Sequence, residues 1–189
     1  AELILTPGIE GMKGAINKAN ELATEIPNSF VPLQFKNPAN PQIHKETTAE
    51  EIWKDTGGKI THFVSSMGTT GTIMGTSTFL KEKNTSIQIV GVQPDDEARI
   101  PGIRKWPKEY LPTIFDAKKV DRILEVNEPE ARAMTIRLAE EEGIFAGMSS
   151  GGAAAAAVRL CEELESGVVV SIICDRGDRY LSSDLFDKK

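Results

Sequence analysis

Very little in this chain is built for cross-linking, metal binding or membranes. Among 189 residues there are only two cysteines, Cys161 and Cys174, and two histidines, His44 and His62. Two cysteines cannot form a disulfide framework. The lone histidines have no partners at metal-ligand spacing, so no metal site is expected and both read as structural. Aromatic residues are scarce at 6%, and Trp53, Trp106 and Tyr110 read as packing residues. No apolar run approaches the length of a membrane span, and no signal peptide is visible. Basic residues are outnumbered 28 to 22, giving a net charge of −6. That balance weighs against nucleic-acid and anionic-membrane partners. The plain reading is a cytoplasmic globular protein long enough to bury a real core.

What is present alternates in period. AELILTP reads as a short buried strand, and the helical stripe Met12, Ala15, Ile16, Ala19 follows it. SFVPLQ is strand-like, and the Pro/Asn cluster FKNPANPQIH reads as a loop. KETTAEEIWKDTGG reads as a helix with Thr47 or Thr48 as N-cap, Glu50 and Glu51 at its positive end, and Gly57-Gly58 as its stop. KITHFVSS, SIQIVGVQP, VDRILEV and VVVSIICD read as strands, the last of them buried. A helix is expected through about Lys83, and another in NEPEARAMTIRLAEEEG between Asn127 and Gly143. GIFAGMSSGGAAAAAVRL reads as a strand turning into an alanine-rich helix. The long segment DDEARIPGIRKWPKEYLPTIF is polar, proline-rich and loop-like. Several strands are near-continuous apolar runs. Together these features predict an α/β fold: an open, mostly parallel sheet with helices on both faces.

In such a sheet, ligands bind beyond the carboxyl ends of the strands. Gly68-Thr69-Thr70-Gly71-Thr72 stands at one of those ends and opens a helix. Helix-terminal amides, close-approaching glycines and threonine hydroxyls suit an anion such as phosphate. It is neither a Walker loop nor the Gly-x-Gly-x-x-Gly fingerprint. On chemistry alone, a phosphate cradle and a plain tight turn are both open. GMSSGG (147–152) and IICDRGDRY (172–180) mark two more strand ends, and each alone reads as a cap or turn. Converging on one ligand, the three ends would suit a phosphorylated heteroaromatic group.

QFKNPANPQIHKETTAEEIW, VSSMGTTGTIMG, IPGIRKW, GIFAGMSSGGA and IICDRGDRYLS occur in this order. In them the chain resembles the cysteine synthases (O-acetylserine sulfhydrylases), and among these the B isozymes, over essentially its whole length. The resemblance implies the fold-type-II architecture of the tryptophan-synthase-β-like enzymes and the cofactor pyridoxal 5′-phosphate (PLP). It implies synthesis of cysteine from O-acetylserine and sulfide, with thiosulfate as a further donor giving S-sulfocysteine. It also implies a homodimer.

By the same resemblance, Gly68, Thr69, Thr70, Gly71 and Thr72 hold the cofactor phosphate, and Ser149 bonds the pyridine nitrogen, with Ser150 as the neighbouring alternative. A hydroxyl partner leaves that nitrogen unprotonated and favours β-elimination. Gln34 is either a substrate-carboxylate residue or a loop-anchoring amide. Arg104 is either a lid cation for an anionic sulfur donor or a solvated arginine. Cys174 and Asp175 replace a smaller Pro-Ser pair in the pocket lining, and Cys174 by itself reads as a buried small hydrophobe. Cys161 reads as structural. Residues 1–36 are expected to be the end of a small mobile domain, and 37–189 the large phosphate-binding domain. The family's Schiff-base lysine and its Thr-Ser-Gly-Asn loop belong upstream of the first residue here. The chain is therefore expected to be a C-terminal portion, inactive alone. The other readings are a non-catalytic PLP-binding relative acting as a partner module, and an unrelated nucleotide-binding domain.

Overall fold

The computed structural model describes residues 1–186. The chain falls into two compact units, one spanning residues 1–33 and the other beginning at Gln34.

The first unit has one α-helix, α1 (Gly11–Glu25), which begins directly after a 3-10 turn at Gly8–Glu10. The expected buried strand at its start does not form. Residues 1–7 have no sheet partner, and Leu3 and Leu5 are about four-fifths exposed, at 79% and 80%. An apolar run becomes a strand only when a neighbour satisfies its backbone. SFVPLQ likewise forms no strand; Leu33 turns at φ 52°.

In the second unit, the segment expected to be a Pro/Asn loop is instead helix α2 (Ala39–Glu46). Its signals mark a helix start. Asn37 Oδ1 accepts from Ala39 N at 2.9 Å, Pro38 is the N-cap, and Pro41 lies in the first turn, where a missing N–H costs nothing. Helix α3 (Thr48–Asp55) follows after a break at Thr47. No threonine side chain caps it, because the Thr47 hydroxyl donates back to Ile43 O at 2.8 Å. Gly57 and Gly58 end it with left-handed backbones, as read.

Strand β1 (His62–Ser66), helix α4 (Gly71–Lys83), strand β2 (Gln88–Pro94) and strand β3 (Arg122–Val126) come next. Helix α5 (Glu128–Glu142) is capped by Asn127 Oδ1, which accepts from Glu130 N at 2.8 Å, and it stops at Gly143 with φ 68°. Helix α6 spans Met148–Glu162. GIFAG does not form a strand before it. Only three residues separate the C-cap Gly143 from the N-cap Gly147, and they make one antiparallel bridge, Ala146 to Arg176. Strand β4 (Val169–Ser171) is short and half-buried, not a buried strand, because it stands at a sheet edge. Residues 95–121 are irregular apart from two 3-10 turns, as expected.

Among the described residues, all strand-to-strand pairings are parallel, in the order β3-β2-β1-β4. Alternate residues of each strand feed opposite faces. Phe63 and Ile89 join Ile73, Met74 and Leu80 on the α4 side. Val64, Val90 and Val92 join Ala156 and Leu160 on the α6 side. Both central strands are covered twice, which explains their continuous apolar runs. The chain steps from β1 to β2 to β3 in one direction, and β4 then joins on the far side of β1. That reversal opens a crevice beyond the carboxyl ends of β1 and β4.

Candidate functional site

A cleft of about 280 Å³ lies at this reversal. Ser66, Gly68, Thr69, Thr70 and Thr72 border it from the end of β1 and the start of α4. Ser149 borders it from the first turn of α6, and Cys174, Asp175 and Arg179 from the segment after β4. Gly102 of the long loop completes the wall. A larger cleft of about 990 Å³ lies along residues 94–107, beyond the end of β2. The smaller one is the stronger candidate, because the β1-to-α4 junction, the N-terminus of α6 and the segment after β4 meet there.

Thr70 is the most constrained residue of the cleft. It is the N-cap of α4 with φ 70°, a left-handed backbone that costs a β-branched side chain about 1–2 kcal/mol. It is 4% exposed, and among the described residues its buried Oγ1 has no hydrogen-bond partner. Strain and an unsatisfied hydroxyl at one residue point to a ligand that rewards both. Beside it, the amides of Thr72 and Ile73 open α4 and lack intrahelical acceptors. Thr69 Oγ1 takes weaker contacts, from Asn40 Nδ2 at 3.1 Å and Gly71 N at 3.3 Å. Gly71 is a packing requirement, since any Cβ there would collide with the Asn40 side chain.

The other walls are tied to this loop. Ser66 Oγ donates to Ser149 O at 2.7 Å, and Ser150 Oγ accepts from Cys174 N at 2.9 Å. The two serines are therefore distinguished: Ser150 is committed to the backbone, while Ser149 lines the cleft. Gly102, at φ 88°, lies so close to Ser149 that a Cβ would come within 2.9 Å of its Cβ. Trp106 Nε1 donates to Gly68 O at 2.7 Å, and Arg104 N to Met67 O at 2.9 Å, so the long loop is stitched to the threonine loop. Trp106 is thus more than packing, although its ring also meets Phe35 edge-on at 5.3 Å.

His44 also reaches the site. Its Nδ1 lies 2.9 Å from Thr48 Oγ1 and its Nε2 3.2 Å from Thr72 Oγ1. Burial lowers its pKa from the ordinary value, so the ring is neutral near pH 7.

Two candidates lie outside the cleft lining. The Gln34 side chain is exposed, and its carbonyl accepts from Asn40 Nδ2 at 2.8 Å, so the anchoring runs through the main chain. The Arg104 guanidinium folds back onto its own loop, donating to Ile103 O at 2.9 Å. Cys174 and Cys161 are both free and exposed as residues, which corrects the buried reading of Cys174. Tyr110 is 39% exposed, so it is only partly packed. Sequence reading missed Ser66, Gly102, Asn40 and Arg179. Only Gly102, in a Pro-Gly turn, carried a local signal.

Among the described residues, no group of three acidic, histidine or cysteine side chains is arranged to hold a metal ion. No described helix is long and apolar enough to cross a membrane.

An anion cradle at a fold reversal, with a serine across from it, narrows the comparison with known proteins. Residues 1–175 match the family described as pyridoxal-phosphate dependent enzyme. The chain belongs to that family. It is 57% identical over 189 residues to cysteine synthase B of Pseudomonas aeruginosa and 52% identical over 189 residues to that of Escherichia coli K12. These alignments cover 100% of this chain and 63% and 62% of the relatives, so the chain spans less than two thirds of their length. Among solved structures, the cysteine synthase of Entamoeba histolytica superposes with a TM-score of 0.89 at 39% identity, covering 100% of this chain and 59% of that one. The α/β fold is that of these PLP enzymes, and the unrelated nucleotide-binding reading is removed.

The residues present fit PLP. The orphaned Thr70 hydroxyl and the opening amides of α4 suit a phosphate. The small, buried Ser149 offers a neutral hydroxyl to a ring nitrogen. When bound, PLP supplies an electron sink for carbanion chemistry.

Proposed function

We propose that the chain works in a PLP-dependent β-replacement enzyme that makes L-cysteine from O-acetyl-L-serine and sulfide, or S-sulfocysteine when thiosulfate is the donor. The observation that carries this reading is the strained, unpartnered Thr70 facing Ser149 across the β1/β4 crevice. The likeness to proteins named cysteine synthase B supports the reaction class. In this reading Gly68, Thr69, Thr70, Gly71 and Thr72 bind the cofactor phosphate. Ser149 fixes the ring nitrogen, and Cys174 and Asp175 line the sulfur-donor side. Gln34 orients the substrate carboxylate, and Arg104 swings from its present anchor to meet an anionic donor. Residues 1–36 are the end of a small mobile domain, and 37–189 the large phosphate-binding domain. The working form is a cytoplasmic homodimer.

An absorbance titration with PLP tests the cofactor assignment, with ATP and inorganic phosphate as competitors. Saturable PLP binding, weakened by phosphate and indifferent to ATP, is the expected result. Equal or tighter binding of ATP would sink the reading.

A further inference from the structure

Helix α2 brings one side-chain amide against the threonine loop. Asn40, in its first turn, donates through Nδ2 to Gln34 O at 2.8 Å and to Thr69 Oγ1 at 3.1 Å. A main-chain carbonyl can only accept. It therefore fixes which end of the amide is nitrogen, because the reversed amide would set oxygen against oxygen. The amide also packs directly on Gly71, so closely that a Cβ there would collide with it.

Thr69 Oγ1 accepts a second time, from Gly71 N at 3.3 Å. A hydroxyl oxygen has two lone pairs and one proton. Donors engage both lone pairs of Thr69, so what this hydroxyl still has to give is its proton. Nothing among the described residues accepts that proton, and Thr69 borders the cleft. The other two hydroxyls of the loop are not set in this way. Thr70 Oγ1 has no partner among the described residues, and Thr72 Oγ1 meets His44 Nε2, a ring nitrogen able to donate or accept.

We propose that Asn40 is a positioning residue that makes Thr69 a hydrogen-bond donor to the phosphate of the ligand. This rests on the proposed PLP site. The orienting chain runs from the main-chain carbonyl of Gln34, through the Asn40 amide, to the Thr69 proton. It suits a fully ionised phosphate, whose oxygens only accept. Aspartate at position 40 would keep the shape and reverse the sense. A carboxylate accepts, so it would take the Thr69 proton and leave oxygen lone pairs toward the anion.

The test is a double-variant cycle on the full chain, read as PLP affinity in an absorbance titration. Its members are wild type, Asn40→Asp, Thr69→Val and the two together. Asn40→Asp also adds a negative charge near the phosphate, but that repulsion acts in both backgrounds and cancels in the cycle. The affinity loss on Asn40→Asp is expected to be about tenfold larger in wild type than in Thr69→Val, the worth of one hydrogen bond to a charged group. Thr69→Ser keeps the hydroxyl and is expected to restore the larger loss. Asn40→Ala removes the donor without adding charge and is expected to show the same coupling, more weakly. Equal losses in the wild-type and Thr69→Val backgrounds overturn the proposal, as does a Thr69→Ser background that behaves like Thr69→Val. Urea unfolding without cofactor checks the contact itself. The midpoint shifts of Asn40→Asp and Thr69→Val are expected not to add in the double variant, and additive shifts overturn the bond. Failure of the wild-type chain to bind PLP would sink the functional reading, while the urea cycle would still decide the contact between Asn40 and Thr69.

Discussion

Replacing Thr70 by valine separates a ligand-binding hydroxyl from a structural one. The two side chains are nearly isosteric and both β-branched, so the strain at φ 70° is common to both. What changes is Oγ1, which is buried and has no partner among the described residues. An unsatisfied buried hydroxyl costs about 1–3 kcal/mol, so the ligand-free valine variant is expected to be more stable by about that amount. Urea unfolding without cofactor reads this as a higher midpoint at unchanged slope. With cofactor, the same hydroxyl is expected to bond a charged phosphate, a contact of about 1.5–3 kcal/mol. PLP affinity should therefore fall roughly 10- to 150-fold in an absorbance titration. The two effects have opposite signs, which general damage to the fold cannot reproduce. A valine variant that is less stable without ligand and binds PLP as tightly as wild type would refute the reasoning.

The two serines of α6 should also part company. Ser150→Ala strands the amide of Cys174 and is expected to destabilise the chain by about 1–3 kcal/mol in the same unfolding assay. Ser149→Ala is expected to cost less stability and instead to shift the absorbance of bound PLP. The histidines set a stability window. Burial lowers both His44 and His62 below the ordinary 6.5, so between those lowered values and 6.5 the unfolded chain binds more protons. Stability is then complete above pH 6.5 and declines as pH falls below it; melting temperatures from pH 7.5 to 5.5 should show this slope, flattened in His44→Asn and His62→Asn, and a flat wild-type profile would contradict it.

The layered fold was legible because the central strands declare themselves. Phe63, Val64, Ile89 and Val90 are apolar on both faces, and only a sheet covered twice buries such a run. Asn127 and Gly143 marked the ends of α5 because capping is local chemistry. Where a segment depends on distant neighbours, the local signal failed. AELIL is apolar, yet it is no strand without an edge to join. The prolines at 38 and 41 announce a break, yet at a helix start they are compatible with the helix that follows.

The same division runs through the site. The threonine loop could be found because its glycines and hydroxyls are contiguous. Asn40 and Ser66 could not be found, because each matters through one partner far away in sequence or through a geometry that only folding creates. Ser66 earns its place from a carbonyl 83 residues on, and Asn40 from a threonine 29 residues on. The left-handed turn at Thr70 is the sharpest case, because sequence preference alone would put glycine there. A threonine kept at that angle, with its hydroxyl buried and unmatched, has no gain in the ligand-free chain. The proposed function gives it one, since the hydroxyl would bond the cofactor phosphate. That is why the valine variant, which removes the hydroxyl and leaves the angle, decides more about this chain than any change to a residue whose bonds are already satisfied.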